Sequence, residues 1–396
     1  MALFIILMPI IWPTDNVDNL RDFQQLVFQY GAMALCAYFV GNLWMGLFMS
    51  WTLFLFHLNG GVIGHETVLN IFFGIMIFGI SRKFFKTFRF EKEAKWIGVV
   101  ALISIFFMGL QFLAIDPMHS VMNGQTGIDI KAELRDSVGM FKLKAHNGIF
   151  LAIATCYAAY LWIPLALLGI CLVGISLSSG AVLASIGGVL FYTFYYNKRW
   201  FKWLVALCIL GAIAFTVKDV LFDKKMYLSR LNMWHSVVKT SLQRPMGYGP
   251  DSFRQETKFK PFMFAGDEER RSAMMIKVPG DDNQVQFVYY DPNPKKMAED
   301  YKDIVPKSPN VWDHPHNEYL NILFCWGIPG IVILFFFLKD IVMTFRKSRK
   351  SKEVVLLTSM LIVYALASLT QFPLCVARLA YLFPVLLGAF YASCED

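Results

Sequence analysis

The stretch that decides the fold is Asp313-His-Pro-His-Asn-Glu-Tyr-Leu-Asn-Ile-Leu-Phe-Cys-Trp-Gly-Ile-Pro-Gly330. A long polar segment, 218–316, leads into this stretch. An apolar run from Ile328 to Leu338 begins at its end. Titratable and hydrogen-bonding side chains are therefore gathered at the entrance to a membrane helix, where burying them is costly. The stretch predicts a functional site at a membrane surface.

The composition around this stretch is that of an all-α polytopic membrane protein. The chain is 56% hydrophobic and only 17% charged, which a soluble domain of 396 residues would not be. The net charge of +8 is attributed to basic loops that orient the chain in the membrane, and not to a surface that binds nucleic acid. About twelve transmembrane helices are expected. They are predicted at 1–12, 25–41, 42–57, 66–81, 95–114, 147–162, 163–178, 180–197, 201–217, 317–338, 354–371 and 373–391.

The predicted spans divide the chain into three parts. Residues 1–217 hold membrane helices 1–9, residues 218–316 form one large extramembrane loop, and residues 317–396 hold helices 10–12. Basic residues crowd the short loops 82–95, 198–202 and 339–352, which the positive-inside rule places in the cytoplasm. Both termini then fall in the cytoplasm, and the 218–316 loop falls on the opposite face.

The large loop has one regular element near its start. Ser229 is read as the N-cap of an amphipathic helix that ends before Pro245, and a glycine-rich turn, 244–253, follows. A short strand-like run is expected from Val285 to Tyr290. The stripe expected to face the membrane or other helices consists of Leu231, Trp234, Val238 and Leu242.

His316 and Asn317 are the candidate catalytic residues at the entrance to the tenth span. Histidine is the side chain best suited to proton transfer near neutral pH. The alternative is that His314 and His316 only cap the helix at the interface. A metal site is a further alternative, but Pro315 and the tight spacing argue against convergence on one ion, and no metal is predicted. Its ligands would be Asp313, His314, His316 and Glu318.

Three arginines are candidates for binding an anion. Arg230 at the predicted helix start can fork onto phosphate oxygens, and the helix N-terminus expected there would add donors to the same anion. Arg244 is a similar but weaker candidate. Arg378 lies within the last span, where a charge either snorkels to the surface or faces a polar cavity. Gly327 to Gly330 are read as a helix kink that permits close packing.

Together these motifs resemble the O-antigen ligase and O-antigen polymerase superfamily. His316-Asn317, nine residues and then Gly327-x-x-Gly330 match its signature. Arg230-x3-Trp234 and the segment from Pro245 to Phe253, with its Gly-x-Gly, are similar to the stretch that opens the family's large periplasmic loop. The chain departs from the family at Ser179, where an arginine that helps to bind the lipid diphosphate is expected.

The resemblance implies an integral-membrane glycosyltransferase of the bacterial inner membrane with a periplasmic active site. The implied donor is an undecaprenyl-diphosphate-linked glycan, and the acceptor is a lipid A-core sugar, another glycan or a protein. No cofactor, metal or nucleic acid is expected. Arg230 would hold the diphosphate with help from Arg378 or Arg244. His316 would activate the acceptor or bind the leaving phosphate, and Asn317 would orient the site.

Two other classes of protein fit a membrane chain of this kind. A polyprenyl-lipid flippase would also use outer arginines, but it would carry charges along a path across the bilayer. Ionisable residues thin out in the middle of the predicted spans, which favours a one-sided enzyme. A structural membrane subunit that binds a partner through the 218–316 loop would tolerate changes at His316.

Overall fold

The computed structural model describes residues 42–59, 65–113, 139, 144–176, 178–219, 225–253, 274–277, 285–288, 315–371 and 377–395. The predicted spans 1–12 and 25–41 lie outside these residues, as do Asp313 and His314. The described helices are α1 (Leu43–Leu58), α2 (His65–Thr87), α3 (Phe90–Glu93), α4 (Lys95–Phe112), α5 (Lys144–Leu161), α6 (Ile163–Ile175), α7 (Ser179–Tyr196), α8 (Lys198–Asp219), α9 (Lys225–Gln243), α10 (Glu318–Lys347), α11 (Lys352–Ala367), α12 (Ala377–Ala380) and α13 (Leu382–Glu395).

Four apolar helical stretches in the described residues are long enough to cross a membrane. They are Thr67–Thr87, Phe90–Phe112, Ser179–Tyr196 and Glu318–Lys347. Helices α1, α5, α6 and α13 are also apolar but shorter. Large apolar side chains such as Leu102, Phe106 and Phe335 are exposed on these helices, as expected for surfaces that face lipid. The helical membrane class is confirmed; the number of twelve spans and the placement of the loops stay predictions.

The contacts within the chain form two compact units. The first comprises residues up to 49, residues 69–215 and residues from 334 onward, and the second comprises residues 50–68 and 216–333. Helix α10 therefore contributes its first part to the second unit and its remainder to the first unit.

The core of the first unit is built around α5, α7 and α11. Gly188 on α7 lies where the three helices meet, because a Cβ there would come within 2.6 Å of Cys156 Sγ and 2.7 Å of Val363 Cγ2. Small residues at helix contacts let the backbones approach closely, which drives association where lipid offers no hydrophobic gain. Helix α11 is capped by Ser351, whose hydroxyl accepts from Val354 N at 3.2 Å. The Tyr364 hydroxyl donates to Leu379 O at 2.6 Å and ties α11 to α12.

The second unit contains α9, the first part of α10 and a two-stranded hairpin. Strands β1 (Met274–Lys277) and β2 (Val285–Val288) pair antiparallel, with Met274 opposite Val288. The strand-like run predicted from Val285 is thereby confirmed over its first four residues.

The helix predicted to begin after Ser229 begins earlier. Helix α9 runs from Lys225 to Gln243, so Ser229 is not its N-cap and Arg230 lies inside it. The buried face of α9 carries Met233 and Val237, whereas Val238 and Leu242 of the predicted stripe are exposed. Val238 and Leu242 therefore lie outside the buried face of α9, whereas Trp234 of the same stripe is half-buried.

Candidate functional site

Helix α10 is broken at Gly327, and the break organises the site. Gly327 has φ 67° and ψ −164°, which no residue of a continuous helix adopts. Pro329 adds to the break, because it has no N–H to give to the carbonyl of Cys325 one turn earlier. The kink inferred from the Gly-x-x-Gly motif is confirmed, and it leaves carbonyl groups of the preceding turn without helical partners.

The glycine-rich turn after α9 supplies those partners. Tyr248 N donates to Phe324 O at 3.0 Å, and Gly249 N donates to Cys325 O at 2.8 Å. In return, Ile328 N donates to Pro245 O at 2.8 Å. The two glycine motifs, distant in sequence, are therefore the two halves of one backbone joint.

The joint requires glycine on both sides. Gly247 has φ 97°, and a Cβ there would lie 2.5 Å from Cys325 O and 2.6 Å from Gly327 N. A Cβ on Gly327 would in turn meet Pro245 O and the amide of Gly247. Any side chain at either position would hold the two backbones apart.

Aromatic side chains also stabilise the joint, by hydrogen bonds and by stacking. Trp51 Nε1 donates to Trp326 O at 2.8 Å, and Trp326 Nε1 donates to Thr52 Oγ1 at 2.8 Å. Tyr248 stacks on Phe324 with ring centroids 4.6 Å apart. These contacts fix the first part of α10 and, with it, the residues at the start of this helix.

Asn317 is the N-cap of α10. Its Oδ1 accepts from Leu320 N at 3.0 Å, and its carbonyl accepts from Asn321 N at 3.0 Å. The residue is only 8% exposed. The N-cap of this helix is therefore Asn317, and His316 precedes the cap, whereas His314 lies outside the described residues. The structure gives Asn317 a structural role, and its predicted part in orienting the site stays a prediction.

His316 directly precedes the cap in a left-handed conformation, with φ 51°. Such a conformation is uncommon for a residue with a side chain and needs support from its surroundings. Trp234 provides it, because its Nε1 donates to the carbonyl of the buried Pro315 at 2.8 Å. Helix α9 thereby holds the peptide that presents His316.

Arg230 belongs to the same helix, one turn before Trp234. Positions four residues apart lie on one face of a helix. The register thus puts position 230 on the face of α9 that is bonded to the His316 segment. Because α9 begins at Lys225, its free amide groups lie before position 230, and the predicted help from a helix N-terminus is wrong for this arginine.

Arg244 follows α9 at the edge of the backbone joint and is partly buried. Its Nη2 donates to Asn59 Oδ1 at 3.0 Å, and its guanidinium lies over the Tyr248 ring at 5.4 Å from the centroid. In the described part of the chain, no carboxylate pairs with it. Its charge is held in place by neutral groups, an arrangement suited to binding an anion.

The two remaining positions of the predicted anion site lie in the first unit. Arg378 is in the short helix α12. Ser179 is the exposed first residue of α7, and Ser178 before it makes no side-chain cap bond. The structure brings the segments of Arg230, Arg244, His316 and Asn317 into one unit.

Buried polar side chains on the first part of α10 were missed by sequence reasoning. Glu318 is 4% exposed and Asn321 is 5% exposed, although both belong to a predicted membrane helix. Cys325 Sγ donates to Asn321 Oδ1 at 3.6 Å, and Ser252 Oγ donates to Cys325 Sγ at 3.7 Å. The spacing of 318, 321 and 325 along one helix face was the available signal.

The described residues contain no group of three or more His, Cys, Asp or Glu side chains that could hold a metal ion. Asp313 and His314, two of the four alternative ligands, are not among those residues. The metal alternative is therefore not tested at its full ligand set.

Part of the chain is similar to a known protein family. The family model described as O-Antigen ligase matches residues 164–335. The matched range includes Arg230, Arg244, His316 and the whole backbone joint, whereas Arg378 lies beyond it. No curated protein matches the chain.

Proposed function

We propose, because the family model described as O-Antigen ligase matches residues 164–335, that the chain transfers a glycan from undecaprenyl diphosphate to an acceptor hydroxyl. The proposal places the chain in the bacterial inner membrane, with its termini in the cytoplasm and its active site on the periplasmic face. The preferred acceptor is a lipid A-core sugar, which makes the protein an O-antigen ligase of lipopolysaccharide biosynthesis. The family signature from His316 to Gly330 supports this choice.

The observation that carries the proposal is the hydrogen bond from Trp234 Nε1 to Pro315 O. It joins the helix that bears Arg230 to the residue before His316. Arg230, the proposed phosphate-binding cation, and His316, the proposed proton-transfer group, are thereby carried by two segments that are bonded to each other. Transfer from a lipid diphosphate needs both groups held in place.

The chemistry follows from the leaving group. A lipid diphosphate already leaves well, so the protein has mainly to hold the negative charge that develops on it. Arg230 is assigned to this charge, with Arg244 or Arg378 as the second cation. Arg244 is the preferred candidate, because it lies in the same unit as Arg230 and because Asn59 and Tyr248 already orient its guanidinium.

The transfer itself is a single displacement. The acceptor oxygen attacks the anomeric carbon, the bond from that carbon to the diphosphate oxygen breaks, and the electron pair stays on the diphosphate. The hydroxyl proton goes either to His316 or to the departing phosphate that His316 binds. Attack from the side opposite the leaving group inverts the anomeric configuration.

The direct test uses the purified full chain in sealed proteoliposomes with an undecaprenyl-diphosphate-linked glycan. Lipid A-core, the same lipid-linked glycan and a Ser/Thr-containing protein are offered as acceptors in separate reactions. A gel shift of lipid A-core alone is expected. Product on the second or third acceptor instead identifies a polymerase or a protein transferase. Movement of the donor across the bilayer without product on any acceptor would favour the flippase.

Two substitutions test the assigned residues. His316→Ala and Arg230→Ala should each slow transfer by about 10²- to 10⁴-fold, the usual contribution of a proton-transfer group or a charge-stabilising donor. His235→Ala and Lys239→Ala are the matched controls, because both residues are exposed on α9. A folded His316→Ala or Arg230→Ala protein with the full rate would contradict the mechanism.

The second cation is tested by donor binding. Arg244→Ala and Arg378→Ala are each compared with the unmodified chain, and wild-type binding in both would exclude both arginines. Ser179→Arg adds the arginine expected from the family at an exposed position. If that charge is replaced here by Arg244, Ser179→Arg should restore donor binding to the Arg244→Ala protein.

A further inference from the structure

The first unit contains a cavity that the proposed transfer does not use. Its volume is about 420 Å³, and it lies among the start of α1, the second half of α2, the last part of α10 and the end of α13. Polar, charged and aromatic side chains line it, which is unusual between membrane helices. They include Asn42, Trp44, Arg82, Asp340, Tyr391 and Glu395.

Asp340 is the distinctive residue of this cavity. Its Oδ2 accepts from Asn42 Nδ2 at 3.1 Å and from the Tyr391 hydroxyl at 2.5 Å. Both donors are neutral, and within the described part of the chain no basic side chain forms an ion pair with Asp340. A carboxylate beside apolar helices is stabilised most by a cation, and the described residues place none in an ion pair with Asp340.

Asn42 is held so that it presents its amide to Asp340. Its Oδ1 accepts from Trp44 N at 3.1 Å and from Met45 N at 3.2 Å, which makes it the cap of α1. Its Nδ2 is thereby directed to Asp340 and to the Tyr391 hydroxyl. The carboxylate is thus fixed in orientation rather than free to turn away.

The other charged side chains at the cavity pair with one another. Arg82 Nε donates to Glu395 Oε1 at 2.9 Å, and Lys86 Nζ forms an ion pair with Glu395 Oε2 at 2.5 Å. Among the described residues, two cations share one carboxylate here, which leaves an excess of positive charge on this side of the cavity. The Arg82 guanidinium also lies 5.7 Å from the centre of the Tyr391 ring.

We propose that the cavity binds the headgroup of an aminophospholipid. The primary ammonium meets Asp340 beside the aromatic rings of Trp44 and Tyr391, and the lipid phosphate meets the excess positive charge around Arg82. The basic residues near it, Lys83 and Lys86 on α2 and Arg346 and Lys347 on α10, are typical of the membrane surface where headgroups lie. This site does not depend on the proposed glycan transfer.

The test is competitive lipid binding to the purified, delipidated full chain, read by native mass spectrometry. The probes are phosphatidylethanolamine, phosphatidylcholine and phosphatidylglycerol with the same acyl chains. Phosphatidylethanolamine should bind about tenfold more tightly than the other two, because only its ammonium both carries charge and donates hydrogen bonds to a carboxylate. Equal binding of the three lipids would overturn the proposal.

Asp340→Asn removes the charge and keeps an acceptor for Asn42 and Tyr391. It should abolish the preference for phosphatidylethanolamine and leave binding of phosphatidylglycerol unchanged or stronger. Cys394→Ser, at another lining position, is the control and should keep the preference. An Asp340→Asn protein with the wild-type preference would refute the assignment. If Asp340→Asn does not fold, the preference for phosphatidylethanolamine is measured instead on Trp44→Leu, which removes an aromatic ring of the site and keeps the carboxylate.

Soluble phosphoethanolamine separates a lipid site from a site for a free amine. It carries the same ammonium and phosphate but has no acyl chains to lie along the helices. The lipid should therefore bind much more tightly at equal concentration. Equal binding of the two would show that the cavity takes a free ligand and would overturn the lipid assignment.

Discussion

The two parts of α10 differ although they form one helix between Glu318 and Lys347. The part before Gly327 buries Glu318, Asn321 and Cys325 and is joined to the Pro245–Gly249 turn by backbone hydrogen bonds. The part after Gly327 exposes apolar side chains such as Val332 and Phe335. One helix thus meets two environments, a polar protein interior and a lipid-like surface, and the break at Gly327 separates them.

The difference explains why both glycine motifs occur in a protein of this type. A straight helix would satisfy its own carbonyl groups and offer nothing to the α9 turn. The break exposes the carbonyls of Phe324 and Cys325, and the turn pairs with both. The entrance of α10, with His316 and Asn317, is thereby attached to the turn that follows α9.

The largest expected effect comes from replacing the glycine at which α10 is broken. Gly327→Ala places a Cβ against the backbone of Pro245 and Gly247 and strains a positive φ. We expect a loss of about 3 kcal/mol or more in the free energy of unfolding, together with loss of transfer. Thermal unfolding in detergent, followed by tryptophan fluorescence, measures the first quantity.

Gly109→Ala is the matched control for this change. Gly109 lies in α4, and a Cβ there would meet nothing within 4 Å. Since alanine favours helix more than glycine does, this variant should be neutral or slightly stabilised. Equal stability of the Gly327→Ala and Gly109→Ala proteins would mean that the joint is not needed.

The next effect concerns the attachment of the first part of α10 to α9. Trp234→Phe keeps an aromatic ring but removes the donor to Pro315 O. An unpaired buried carbonyl costs about 1–3 kcal/mol, and a displaced His316 should slow transfer about 10- to 100-fold. The initial rate of glycan transfer is the measurement. Trp203→Phe, at an exposed tryptophan of α8, should retain the full rate.

A smaller effect is expected at the cap of α10. Asn317→Ala removes the acceptor for Leu320 N and should lower the free energy of unfolding by about 1 kcal/mol. Asn317→Asp keeps a capping oxygen and should restore the stability. If Asn317 acts only as the cap, Asn317→Asp also restores the transfer rate. Restored stability without restored transfer would assign the amide a further role in the site.

The smallest effect belongs to the lipid-facing part of the helix. Phe335 is 63% exposed, and Phe335→Leu keeps an apolar surface there. The free energy of unfolding should change by less than about 0.5 kcal/mol. The transfer rate should also change little. A clear loss in either quantity would show that this surface is covered by protein rather than by lipid, and the contrast between the two parts of α10 would fail.

Much of the architecture could be predicted from local patterns. The apolar runs predicted α1, α2, α4 to α8, α10 and α11 to within a few residues at most ends. The start of α9 was misplaced, because Ser229 resembles a cap whereas the chain is already helical from Lys225. A cap motif is only a local preference, and the surrounding contacts can extend a helix through it.

The candidate site was likewise predictable only in part. The kink at Gly327 could be read from glycine and proline, whose backbone preferences are properties of the residues themselves. The family resemblance selected Arg230 and His316, and residues 164–335 match that family. The buried polar face of Glu318 and Asn321 was not recognised, since burial depends on the neighbours of a helix and not on its own sequence.

What the sequence by itself determined is a chain of apolar helices, a broken tenth predicted span and a polar entrance to it. Only the tertiary structure decided that the Pro245–Gly249 turn fills the break and that Trp234 holds the peptide before His316. It also decided that, among the described residues, the hydrogen-bond donors to Asp340 are neutral. The reason is that helix formation depends on nearby residues, whereas each of these bonds joins residues more than 40 positions apart in the chain.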